Sequence, residues 1–176
     1  MPINVELKAK VENFESLTEK LKTLSHSQII QEDFYINVGE GKLKLRKSNI
    51  NKPQVIFYER SNVFDAKESH YKIHTFKTQE KFSHAYKNFR KNFGFNTVVR
   101  KKRDYYRYED IRIHLDSVEN LGKFVEIELV INNESNLASA REKASHFFHE
   151  YLGIPRQNLI DKSYSDLIKH QTNVSY

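Results

Sequence analysis

The chain opens on a strict alternation of apolar and polar side chains. Successive residues of a strand point to opposite faces. In Ile3-Asn4-Val5-Glu6-Leu7-Lys8-Ala9-Lys10-Val11, Val5, Leu7, Ala9 and Val11 therefore share one face, and Asn4, Glu6, Lys8 and Lys10 the other. The same alternation returns three times. Lys42, Lys44 and Arg46 stand opposite Leu43 and Leu45; Arg112, His114 and Asp116 stand opposite Ile111, Ile113 and Leu115; Glu126 and Glu128 are set against Val125, Ile127 and Leu129.

Between these segments the periodicity changes. Asn13 caps a helix with Phe14, Leu17, Leu21 and Leu24 at helical spacing. A strand over 29–38, a tight turn at Gly39-Glu40-Gly41, and a strand over 42–47 read as a hairpin. A strand over 54–60 follows, then a loop over 61–68 and a short strand over 69–74. Thr78 caps a second helix with Phe82, Ala85, Tyr86, Phe89 and Phe93 on its apolar face and Gly94 at its end. Strands over 97–106, 110–116 and 124–131 come next. A helix capped by Ser135 carries Leu137, Ala140, Ala144, Phe147, Phe148, Tyr151 and Leu152, and a final helix covers 164–168. The fold class is α+β, with helices laid over the aliphatic face of an antiparallel sheet. One domain spans 1–170, with 171–176 frayed.

If the helices cover the aliphatic faces, the polar faces line either a wet sheet surface or the inside of a barrel. Solvated faces usually mix charge with Ser, Thr, Asn and Gln. The density of Lys, Arg, Asp and Glu here favours a charged lumen of the kind that holds a ligand, and a polyanion with metal ions fits it. An ordinary solvated sheet face is the alternative.

Composition narrows the chemistry. The 176 residues include 12 Phe and 10 Tyr but no Cys, which excludes disulfides, thiolate metal sites and a cysteine nucleophile. The N-terminus lacks a secretory layout, and no apolar run approaches the ~20 residues that span a bilayer. The expectation is a soluble, cytoplasmic protein without membrane contact. A formal charge of +6 favours anionic partners. Three residues around Gly39 and Gly41 without a following helix make a turn, not a phosphate loop.

In order and spacing, Val5-Glu6-Leu7-Lys8, Leu43-Lys44-Leu45-Arg46, Lys101-Lys102-Arg103, Ile113-His114-Leu115-Asp116 and Leu121-Gly122 followed by Phe124-Val125-Glu126-Ile127-Glu128 resemble the CYTH domain. This is the triphosphate tunnel superfamily of class IV adenylyl cyclases, thiamine triphosphatases and inorganic triphosphatases. The resemblance implies an eight-stranded antiparallel β-tunnel with helices outside, binding a triphosphate with a divalent metal. It further implies that Glu6, Asp116, Glu126 and Glu128 hold magnesium or manganese (Mg2+ or Mn2+), that Lys8, Lys44, Arg46, Lys101 and Arg103 grip phosphates, and that Glu6 is catalytic. Two departures stand out. Asn4 replaces the first Glu of the Glu-x-Glu-x-Lys signature, bringing an oxygen but no charge. The strand over 54–60 offers Tyr58 and Arg60 in place of Lys-Gly-Pro.

The functional expectation is metal-dependent hydrolysis of a nucleoside, thiamine or inorganic triphosphate. The alternatives are a class IV-type cyclase making cyclic AMP and pyrophosphate, or a protein that binds a triphosphate or nucleotide without turning it over. Other readings weigh less. Arg100 to Arg103 with Tyr105, Tyr106 and Tyr108 could stack and hold RNA, but the ordered carboxylates repel phosphate unless metal is present, so nucleic acid is not the expected partner. His146, His149 and Glu150 lack the order of a zinc helix. His114 is a proton shuttle or a lumen wall residue. Lys67, Glu68 and His70 fall in a loop that either closes over a ligand or is simply solvated. A homodimer stays open.

Overall fold

A computed structural model describes residues 3–36, 38–60 and 67–173. Its elements are β1 (Ile3–Val11), α1 (Glu15–Leu21), β2 (His26–Ile36), β3 (Lys42–Ser48), β4 (Gln54–Arg60), β5 (Lys67–Thr75), α2 (Gln79–Asn92), β6 (Thr97–Tyr108), β7 (Ile111–Val118) and β8 (Gly122–Ile131). They are followed by α3 (Leu137–His146), which runs on as one π turn (Phe147–Tyr151), and by α4 (Tyr164–Asn173). All eight strands pair antiparallel into a closed barrel in the order β1-β5-β4-β3-β2-β6-β7-β8. Closure removes the unpaired edges that an open sheet would expose.

The alternation in the sequence becomes an inversion of the usual core. Val5, Leu7 and Ala9 of β1, with Ile113, Leu115, Val125, Ile127 and Leu129 of β7 and β8, face outward and are buried under Leu17 and Leu21 of α1 and Ala140, Ala144, Phe147 and Phe148 from α3 and its π turn. On the opposite wall, Phe34, Ile36, Leu45 and Phe76 are covered by Phe82 of α2. A third cluster joins Tyr35, Val99, Val118, Leu121 and Phe124 to Tyr164 at the start of α4. The helices thus hold the barrel from outside, and its interior is left to polar side chains.

Local signals explain most boundaries. Thr78 caps α2, its hydroxyl accepting from Lys81 N at 3.3 Å. In the β2–β3 turn Gly41 has φ +71°, and a Cβ there would lie 2.9 Å from the Phe57 ring and the Tyr58 carbonyl, so only glycine fits. Two expected caps differ. Asn13 Oδ1 accepts from Glu15 N, but the cap position of α1 is Phe14, whose side chain makes no capping hydrogen bond, and Ser135 lies inside a 3-10 turn (Glu134–Asn136). The strands run longer than their hydrophobic alternation suggests.

The largest correction concerns 67 and 68, expected in the loop before the strand over 69–74. Glu68 and His70 belong to β5, whose register with β1 (Val5↔Glu68, Ile3↔His70) closes the barrel, and Glu68 is paired with Arg141. Cross-strand pairing outweighs the polar composition that suggested a loop there. The remainder of that expected loop, 61–66, lies outside the described residues. Residues 171–173 continue α4, and 174–176 lie outside the described residues. No helix among the described residues is long and apolar enough to cross a membrane.

Phe148 is fully buried between α3 and the barrel wall. Phe148→Ala should lower the unfolding free energy by about 3–5 kcal/mol in a urea titration; a loss below ~1 kcal/mol would mean the helical layer does not clamp the barrel.

A candidate active site inside the barrel

The barrel encloses a cavity of ≈ 500 Å³ lined from every strand by inward-facing residues. Seven lysine and arginine side chains line it against four carboxylates, with Asp116 fully buried behind Arg103. The lumen therefore carries an excess of positive charge, and its arrangement shows where.

Two hairpins build the same device. In the first, Asp33 of β2 stands directly opposite Arg46 of β3. Arg46 donates from Nε to Oδ1 at 2.7 Å and from Nη2 to Oδ2 at 2.9 Å, and Lys44 Nζ donates to Oδ2 at 2.9 Å. In the second, Asp116 of β7 stands opposite Arg103 of β6. Arg103 donates to both carboxylate oxygens at 2.6 Å, and Lys101 Nζ donates to Oδ2 at 3.1 Å. Each carboxylate serves one bidentate arginine and one lysine two residues earlier, so each device keeps a surplus charge.

The titration behaviour follows. Burial would raise the pKa of Asp33, but Arg46 and Lys44 outweigh it and hold the carboxyl far below its ordinary range. Asp116 is likewise held down by Arg103 and Lys101 against its burial. Lys44 pays for the surplus: burial first, then repulsion from Arg46, lowers it to about 7, with Asp33 only partly opposing. Lys101 is lowered by burial and Arg103. A bound polyanion would reverse both shifts.

A second cluster sits on β1, β7 and β8. His114 Nδ1 lies 3.1 Å from Glu126 Oε1 and 4.0 Å from Glu128 Oε1, and ligand atoms of the three residues fall within 4.8 Å of one another. Glu6 is the register partner of Glu128. Lys8 bridges Glu6 at 3.2 Å and Glu126 at 3.1 Å, and Arg103 Nη2 reaches Glu126 Oε1 at 3.0 Å, tying this cluster to the Asp116 device. Burial works to raise the Glu126 pKa, but Lys8, the His114 hydrogen bond and Arg103 hold it well below its usual range.

Among the described residues, Tyr164 stands across one end of the bore. The Tyr164 hydroxyl donates to Asp116 Oδ2 at 2.9 Å, with Lys8 4.4 Å and Lys101 5.0 Å from its ring centroid. Lys42 holds the neighbouring residues in place, donating to Ser163 Oγ at 2.8 Å and pairing with Asp166. Burial and then Asp116 push the Tyr164 phenol well above its ordinary range.

Comparison with known proteins now decides the family. The sequence matches the CYTH domain over residues 2–164. The chain belongs to the CYTH family. It is 29% identical over 178 residues to a candidate adenylate cyclase of Methanocaldococcus jannaschii, a match covering 94% of this chain and 98% of that protein. A solved structure from Pyrococcus horikoshii shares its fold with a TM-score of 0.77 at 24% identity, covering 93% of this chain and 98% of that one. So does a candidate adenylyl cyclase from Hippeastrum described as having a dominant triphosphatase activity, with a TM-score of 0.63 at 14% identity, covering 98% and 96%. CYTH tunnel proteins bind triphosphate substrates and depend on a divalent metal.

The residues that the CYTH resemblance singles out meet in this lumen, Asp116 excepted. Glu6, Lys8, Lys44, Arg46, Lys101, Arg103, Glu126 and Glu128 line the cavity, whereas Asp116 stands apart from the His114–Glu126–Glu128 cluster with both oxygens bonded. The residues present fit a hard divalent cation: two carboxylates and an imidazole converge, with Glu6 across the pair. Asn4, only 8% exposed, lines the same lumen, and its Oδ1 is buried without a hydrogen-bond partner. Such an oxygen suits a cation or a ligand donor.

Sequence reasoning missed Asp33 and Tyr164 as site residues and left His114 undecided. The basic stripe also divides: Lys101, Arg103 and Tyr105 turn inward, Arg100 and Lys102 outward, and Tyr106 is buried in the core. Tyr58 lines the lumen with Lys44 Nζ 5.4 Å from its ring centroid.

Lys44 gives a pH signature. Its folded pKa of about 7 lies below its ordinary 10.5, so between those values the unfolded chain binds more protons and stability rises with pH. The stabilisation relative to the charged state is complete above about pH 10.5 and is lost as pH falls through 7. Unfolding free energies across this window should rise less steeply in Lys44→Met than in the native chain; identical slopes would show that Lys44 stays fully charged.

Proposed function

We propose that this chain is a divalent-metal-dependent enzyme acting on a triphosphate compound in its lumen, with hydrolysis as the leading reaction. One observation carries the reading: two cation-surplus Asp–Arg–Lys devices and a carboxylate–imidazole cluster face one cavity, and Arg103 bonds the Asp116 device to the cluster through Glu126. Fixed cations of this kind match a polyphosphate with charge-assisted hydrogen bonds about twice as strong as neutral ones. Carboxylates in the same cavity are tolerable beside phosphate only if a cation joins them.

In this reading Lys8, Lys44, Arg46, Lys101 and Arg103 hold the phosphate oxygens. Glu6, Glu126 and Glu128 hold magnesium or manganese, with His114 as a further donor. Asp116 anchors Arg103 and Lys101, and reaches a metal only if those bonds are given up. The metal, when bound, neutralises charge on the phosphoryl oxygens. Glu6 accepts the proton of a water aligned on the terminal phosphorus, and the lysines and arginines stabilise the charge that builds on the departing diphosphate. The side chains are already locked by their Asp partners, so little reorganisation is needed at the moment of reaction.

Hydrolysis stands first because it asks only for water at the end of the polyphosphate. The relative in Methanocaldococcus jannaschii supports a second reading. In that reading a ribose 3′-hydroxyl attacks the α-phosphorus and expels pyrophosphate. A cytoplasmic setting suits either.

Incubation with ATP, thiamine triphosphate and inorganic triphosphate, with magnesium or manganese and a chelator control, should release orthophosphate in phosphorus NMR only when metal is present. Cyclic AMP with pyrophosphate would establish the cyclase, and no turnover with any substrate would overturn the enzyme reading. Glu128→Gln should cut turnover by about a hundredfold or more and weaken manganese binding in EPR titrations, with an unchanged melting temperature. Native turnover in that variant would remove Glu128 from the metal site.

A further inference from the structure

Outside the barrel, one lysine ends among aromatic rings. Lys47 stands on the outer face of β3, two residues beyond the buried Leu45, and is half-buried where α2 packs on the wall. Its Nζ lies over three rings at once, 5.6 Å from the centroid of Phe34, 5.7 Å from that of Phe82 and 5.2 Å from that of Tyr86. Phe34 belongs to β2, while Phe82 and Tyr86 stand one helical turn apart on α2, so strand and helix build the cage together.

The cage offers an ammonium little to bind. A lysine carries three N–H donors, and among the described residues none accepts a hydrogen bond from Lys47. Its cross-strand partner Glu32 is committed to Arg100, whose Nε donates to Oε1 at 2.7 Å. The lumen lysines differ, since Lys8, Lys44 and Lys101 each donate to a carboxylate.

The spacing suits a group larger than N–H. Lys8, with carboxylates beside it, comes within 4.4 Å of the Tyr164 centroid, closer than Lys47 comes to any of its three rings. A carbon on nitrogen stands about 1.5 Å out. Methyl groups on Nζ aimed at these rings would therefore lie about 3.7–4.2 Å from the centroids, close to ordinary carbon contact. Methylation keeps the positive charge that ring faces attract and replaces donors that have no acceptor with carbon that the rings can touch. Acetylation would remove the charge.

We propose that Lys47 is an N-methylation site and that the Phe34–Phe82–Tyr86 cage is the receptor for its methylated ammonium. The donor is a sulfonium compound carried by a separate methyltransferase. Lys47 swings out of the cage and gives up a proton to water. The Nζ lone pair then attacks the sulfonium methyl carbon, and the carbon–sulfur bond breaks with its electrons left on sulfur as a thioether. The returning side chain fastens α2 to the β2–β3 hairpin that carries Asp33, Lys44 and Arg46 on its inner face.

Two measurements test it. In the protein isolated from the cells that make it, peptide mass spectrometry should find methyl groups on Lys47 in most molecules and none on exposed lysines such as Lys52 and Lys91. Unmodified Lys47, or methyl groups spread evenly over the three lysines, would overturn the site. The recombinant chain, reductively methylated with isotope-labelled formaldehyde, probes the cage. By NMR its Lys47 methyl signal, identified by its loss in Lys47→Arg, should lie upfield of the exposed dimethyl-lysine signals through the ring currents of the cage. A Lys47 signal among the others would place the methyl groups outside the rings, and no Lys47 signal would show that the side chain never leaves the cage; either would overturn the proposal.

Discussion

Everything inside this barrel depends on the cross-strand pairing of an aspartate with an arginine. A closed β-barrel of this size must either fill its interior with apolar side chains or find a way to keep charge there. Isolated ions in such a place cost several kcal/mol each. Asp33 with Arg46, and Asp116 with Arg103, solve the problem by bidentate bonds across adjacent strands. Each pair then tolerates one lysine beyond neutrality. The surplus makes the lumen receptive, and the pair makes the surplus rigid.

The outward-facing apolar layer is the other half of that arrangement. Because α1, α2 and α3 bury the outside of the strands, the interior is released from the task of holding the fold. The stabilising surface and the working surface are opposite faces of the same strands, separated by a single side-chain alternation. A one-residue slip in register would exchange them, which is why long regular strand pairings and a helix layer are both needed.

That separation also explains what could be read from the sequence. Asn4-x-Glu6-x-Lys8, Lys44-x-Arg46 and Glu126-x-Glu128 sit on strands with clean alternation, so their faces followed from parity, whereas Arg100 to Arg103 is charged at every position and Lys101 and Arg103 were singled out by the CYTH resemblance alone. Asp33 was hidden because Phe34, Tyr35 and Ile36 break the alternation around it. Its signal was symmetry: Asp33 precedes Arg46 by thirteen residues across one turn, as Arg103 precedes Asp116 across another. Tyr164 gave no such signal, since its place depends on how α4 docks on the barrel end. The strand character of Lys67 and Glu68 was illegible for a similar reason, residing in partners on β1 and in no local pattern.

The placing of Tyr164 has a kinetic meaning. With Tyr164 across one end among the described residues, a substrate threads the bore from the other. On the hydrolytic reading a phosphate freed at the inner end sits behind the diphosphate it came from, so departure runs last in, first out. Orthophosphate then leaves only after the diphosphate has cleared the mouth, unless α4 swings aside.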